Sequence, residues 1–167
     1  MYLSVNSDYA KTDCKIAKAE KNDCVVRSLA SATGVSYRTA HQFCKDEFQR
    51  KDKKGTENLI LTTRMMKAED EGLQIGNKKF SVTKLGRKEI KNKYKLYGEE
   101  IWRKKTLKSF MASHPKGTFM VMVAGHALTV KDGELLDWSS NKFEPTRKVM
   151  DAYKIVEKPV ATQLSLF

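Results

Sequence analysis

The stretch Gly125-His126-Ala127-Leu128-Thr129-Val130-Lys131-Asp132-Gly133-Glu134-Leu135-Leu136-Asp137-Trp138 decides how the second half of the chain is read. Two apolar runs flank Asp132-Gly133, a dipeptide that favours the left-handed conformation a two-residue hairpin turn requires. With Lys131 and Glu134 closing the turn, Val130 pairs with Leu135, Leu128 with Asp137 and His126 with Ser139. Residues 126, 128, 130, 135, 137 and 139 then share one face. His126 and Asp137 become diagonal neighbours, close enough for a carboxylate to set the tautomer of the imidazole and stabilise its cation.

Upstream, Thr118–Val123 is an apolar run of strand length, and His114-Pro115-Lys116-Gly117 is a turn. Thr106 is placed to cap a helix through Ser113. Three further helices are expected nearer the start. One covers Cys24–Thr33 and closes at Gly34, one runs from the cap Ser36 to Arg50, and one spans Glu57–Glu71 and stops at Gly72. Residues 73–105 are the least regular and suggest surface loops with one short helix. Helices first and an antiparallel sheet afterwards make an α+β chain, with N-terminal helices packed on a C-terminal sheet. One domain over 1–158 with a tail at 159–167 is the expected division.

Cys24 opens an apolar helix after the polar pair Asn22-Asp23. A thiol there faces unpaired backbone N–H groups and the positive end of the helix dipole, which favour thiolate. The same N–H groups suit the oxyanion formed when a carbonyl is attacked. Cys44 falls on the apolar side of its helix and reads as core. Cys14, between Asp13 and Lys15, reads as an exposed bystander. His41 and Cys44 lie three apart on a helix, but no further ligands are spaced for a tetrahedral ion. No metal and no cofactor is expected. Cys24, His126 and Asp137 in that order form a candidate nucleophile, base and orienter.

The segments NDCVVRSLASATGVSYRTAH and HPKGTFMVMVAGHALTVKDGELLDW resemble papain-like cysteine peptidases. The likeness is to small phage-encoded members akin to the double-glycine-leader peptidases. It covers under half of the chain. It implies a papain-like fold and a thiol hydrolase acting on amide or isopeptide bonds of a protein or peptide substrate. Cys24 would be nucleophile, His126 general base and then acid, and Asp137 the orienter. Such enzymes usually place an oxyanion glutamine several residues before the cysteine, where this chain has Lys18. Asn22 or backbone N–H groups are the available substitutes, and a catalytically inactive scaffold is the alternative reading.

Gln163-Leu164-Ser165-Leu166-Phe167 resembles the pentapeptide by which bacterial replication and repair proteins bind the sliding clamp. Leu164, Leu166 and Phe167 would anchor in an apolar groove, and Gln163 would meet a polar edge. The alternative is a last strand folded onto its own domain. The balance of 32 Lys and Arg against 20 Asp and Glu, a formal +12, suits DNA or another polyanion, although a solvated lysine-rich surface accounts for charge alone equally well. Three cysteines at irregular spacing, no apolar run of membrane-spanning length and no leader pattern lead to the expectation of a cytoplasmic protein without membrane contact.

Overall fold

A computed structural model describes residues 4–6, 14–137 and 144–159. In chain order these form β1 (Ser4–Asn6), α1 (Lys15–Ala19), α2 (Cys24–Thr33), α3 (Tyr37–Glu47), α4 (Asn58–Glu71), β2 (Leu73–Ile75) and β3 (Lys78–Lys84). There follow α5 (Arg87–Ile90), β4 (Lys91–Leu96), β5 (Glu99–Lys104), α6 (Leu107–Ser113), β6 (Thr118–Val123), β7 (His126–Lys131), β8 (Glu134–Asp137) and β9 (Val149–Glu157). The architecture is α+β. Seven strands form one sheet in the order β1-β8-β7-β6-β9-β3-β2, antiparallel except where β1 runs parallel to β8. β4 and β5 form a separate two-stranded ribbon.

Local signals place several elements where the sequence puts them. α2 ends at Gly34 in the left-handed conformation (φ 71°), and α3 begins where Ser36 Oγ accepts the Thr39 N–H. α6 is capped by Thr106, whose hydroxyl accepts the Ser109 N–H at 3.1 Å. The Asp132-Gly133 turn has φ of 49° and 78°, and Lys131 pairs with Glu134, Val130 with Leu135 and Thr129 with Leu136. That is the expected register as far as Leu136. Trp138 and Ser139 lie outside the described residues, as do Gln163, Leu164, Ser165, Leu166 and Phe167.

Three expectations need correction. Residues 73–105 are not mainly loop: they supply four strands and only one short helix. In β3 the face that buries Phe80 and Val82 begins and ends with Lys78 and Lys84, and Lys79 lies on the other face, so lysines at the strand ends conceal a short apolar alternation. The sheet is therefore not made of C-terminal segments alone, because β1, β2 and β3 join it. α3 stops at Glu47 rather than Arg50. Gln49 takes a left-handed φ of 53°, and Arg50 turns inward to bond Glu20.

The sheet is covered on both sides. Met120, Ala127, Tyr153 and Ile155 pack with Val26 and Leu29 of α2, Phe43 of α3 and Met65 of α4. On the other face Phe119, Val121, Leu128 and Val130 meet Leu107, Phe110 and Met111 of α6. Each large apolar side chain among these contributes about 1.5–3 kcal/mol by leaving water. α2 lies directly against β7, and a buried pair of hydroxyls joins them. Ser28 Oγ is 3.0 Å from Thr129 Oγ1, which donates to the Ser28 carbonyl at 2.8 Å. Among the described residues no helix is long and apolar enough to cross a membrane.

Candidate active site

Cys24 is the first residue of α2. Asp23 occupies the cap position without its side chain capping the helix, because that carboxylate instead accepts the Tyr37 hydroxyl at 2.6 Å. The early N–H groups of α2 are thereby left for the thiol side. The chain reaches this point through Asn22, held at φ 53° with its amide donating to the Lys53 carbonyl at 3.3 Å. Beneath this corner Glu20 is buried. One of its oxygens takes Arg50 at 2.6 Å and the Lys53 N–H at 3.0 Å, and the other meets His41 at 3.1 Å. The network ties the turn before Cys24 to the 50–53 connector.

His126 begins β7 and Asp137 ends β8, so the two-residue turn between those strands sets their spacing. His126 Nε2 lies 2.7 Å from Asp137 Oδ1, with both side chains nine-tenths covered. The Cys24 thiol lies beside this ring, close enough for each side chain to shift the titration of the other. The three residues named from the sequence are thus brought together in the order thiol, imidazole, carboxylate.

The electrostatics follow from those contacts. Burial pushes the Cys24 thiol up, but the hydrogen bond to His126, the Ala127 N–H, the His126 charge and the Val25 N–H together hold it below its ordinary value. Burial also opposes a charged imidazole. Hydrogen bonds to Asp137 and Cys24, with the charges of both, reverse this and raise His126 from 6.5 to about 9. Each shift favours the same state, thiolate beside imidazolium. Cys44 shows the contrast: fully buried in the core as expected, its thiol is pushed up to about 12 by that burial. Cys14 corrects the sequence reading. It is half-buried at the start of α1, against the main core, rather than exposed.

Cys24 and His126 open onto a cleft of about 460 Å³. Leu61, Met122 and Met150 give it apolar walls, and Asn22 and Asp151 give it polar ones. Thr56 also lines it, and its hydroxyl is buried with no partner among the described residues. Lys18 is exposed in the last turn of α1 and is not part of the cleft. Asn22, by contrast, shares the cleft with Cys24.

His41 and Cys44 do not converge on an ion. His41 turns to Glu20 and to Asp52, 3.6 Å away, and these three present ligand atoms within 4.8 Å of one another. The protein's own cations already serve the group, Arg50 on Glu20 and Lys45 at 3.2 Å from Asp52. Sequence reasoning missed Glu20 and Arg50, since nothing local distinguishes a buried charge from a solvated one. No family model matches the chain, and searches of curated proteins and of solved structures find no match.

Proposed function

We propose that the protein is a thiol hydrolase of the papain-like cysteine peptidase kind, cleaving an amide or isopeptide bond. The observation that carries this is the convergence of Cys24 and His126 on one cleft, with Asp137 2.7 Å behind the imidazole. A cysteine-bearing helix packed on the antiparallel strand that carries the histidine is what such a fold requires.

In the proposed reaction the Cys24 sulfur attacks the carbonyl carbon, and the carbonyl π electrons move to oxygen. N–H groups at the start of α2, with Asn22 beside them, hold the oxyanion. His126 gives its proton to the leaving nitrogen as the C–N bond breaks, leaving a thioester. The neutral imidazole then takes a proton from water, whose oxygen attacks the thioester and releases the acid and the Cys24 sulfur. Asp137 holds the ring through both steps.

Residues 163–167 support a second part of the reading, recruitment to the bacterial sliding clamp, and the resemblance to small phage-encoded peptidases adds a phage-encoded, cytoplasmic origin. The net +12 would sit beside the DNA that a clamp encircles. A catalytically inactive scaffold that binds clamp or DNA is the rival, favoured by Lys18 standing where a glutamine is usual. Mass-spectrometric iodoacetamide labelling and a fluorogenic peptide library separate the two. Cys24 should be alkylated below neutral pH ahead of Cys14 and Cys44, His126→Ala should abolish that preference, and Cys24→Ala should abolish peptide turnover. Equal labelling of all three thiols would sink the enzyme. Clamp recruitment predicts that a peptide of residues 158–167 competes for purified clamp and that Phe167→Ala weakens it; no competition would remove the tail from the argument.

A further inference from the structure

The ribbon of β4 and β5 contributes no residue to either buried cluster. It is joined to the body at its base, where the Lys105 N–H donates to the Ile90 carbonyl at 2.9 Å and Asn92 reaches Ser109 at 3.4 Å. Beyond that base it stands in water. Residues 87–105 hold eight Lys and Arg against three Glu, a net of +5 in nineteen residues.

Register sorts these charges. Lys91 pairs with Lys104, Lys93 with Trp102 and Lys95 with Glu100, so four lysines, the tryptophan and Glu100, which forms an ion pair with Lys93, share one face with a net charge of +3. The Arg87 guanidinium lies 5.6 Å from the Trp102 ring centre and the Lys93 ammonium 6.0 Å. At the turn Tyr97 is 98% exposed, and Tyr94 and Leu96 are each 47% exposed on the opposite face.

Lysines on a lone ribbon have a plain explanation, since charge discourages edge-to-edge aggregation. That explanation does not cover the exposed tyrosines, which work against it. Nor does it cover Lys91 opposite Lys104, because like charges facing across a ladder weaken it. A polyanion laid along the face would offset that repulsion. Six-residue strands reach roughly 20 Å. A two-stranded ribbon is narrow enough for the major groove, and a tip aromatic offers a stacking surface to an unpaired base.

We propose that the β4–β5 ribbon is a nucleic-acid-binding arm, its lysine face holding the phosphate backbone and Tyr97 meeting bases at the tip. This deepens the DNA contact suggested above and rests on it, but is independent of thiol chemistry. Lys104 Nζ lies 3.2 Å from Met150 Sδ at the cleft, so the basic face starts beside the site.

The test is fluorescence anisotropy of the full chain with a short labelled DNA duplex and the matching single strand, across a salt series. Replacing Lys91, Lys93 and Lys95 with alanine should lower the slope of log affinity against log salt by roughly 2–3. Replacing Lys15, Lys18 and Lys21, an equal charge loss on and just after α1, should change it far less. Tyr97→Ala should weaken single-strand binding by roughly tenfold or more with the salt slope unchanged. Equal losses in the two triple variants, with Tyr97→Ala silent, would assign binding to net charge and overturn the arm. Polyglutamate displacing DNA at equal charge concentration would make the ligand an acidic polypeptide, which also overturns it. Absence of any DNA binding at low salt would remove the DNA contact itself, leaving the hydrolase untouched.

Discussion

Asp137→Asn tests the site at its most informative contact. Asparagine keeps the size of the side chain and loses the charge that lies 2.7 Å from His126 Nε2. In the wild type the imidazole is raised from 6.5 to about 9, by Asp137 and Cys24 against burial. With the carboxylate gone, the thiolate alone opposes burial, and His126 falls toward 6.5. At pH 8 a group titrating at about 9 is about nine-tenths protonated, whereas one at 6.5 is about 3% protonated. The imidazolium population should therefore drop by as much as about thirtyfold. The thiol loses a cationic partner in the same change, so Cys24 moves back up and its alkylation requires higher pH. The assay is the ring Cε1–H resonance of His126 followed against pH by NMR and assigned with His126→Gln, with iodoacetamide rates on the same samples. Turnover, where a substrate is found, should fall by about 10²–10⁴. A wild-type His126 that titrates near 6.5, or one that Asp137→Asn leaves unmoved, would refute the reasoning.

Two further perturbations probe the frame that holds the site. Glu20 is held down to about 2 by Arg50, the Lys53 N–H and His41, against the effect of burial. A depressed carboxylate stabilises the fold fully above about pH 4.5 and loses that contribution as pH falls through about 2. Urea midpoints should therefore decline in that window for the wild type, and Glu20→Gln should start lower at pH 7 and decline less; parallel curves would deny Glu20 its role. Thr129→Val keeps the shape of the side chain but strips the hydroxyl that ties β7 to Ser28 of α2. It should cost about 1–3 kcal/mol at unchanged denaturant slope, and an unaltered midpoint would mean the tie adds nothing.

Where one element sat on local chemistry, the sequence was enough. Ser36 and Thr106 cap helices through bonds to residues three away, Gly34 closes one through its own backbone freedom, and Asp132-Gly133 makes a turn by itself. Because that turn fixes the register of β7 against β8, the closeness of His126 and Asp137 was legible as well. Other features depend on partners far along the chain. Lysine-rich β2–β3 and β4–β5 look like loops until a neighbouring strand accepts their hydrogen bonds, and β1 is a strand only because β8 lies beside it. Glu20 and Arg50 carry no sign in the sequence that they would be buried together. The same is true of the contact that matters most: residue order offers Cys24 and His126 as a pair, but only the packing of α2 on β7 closes the distance between them. Local bonds are encoded within a few residues and can be read there, whereas burial and long-range contact are decided by how all the apolar faces are satisfied at once.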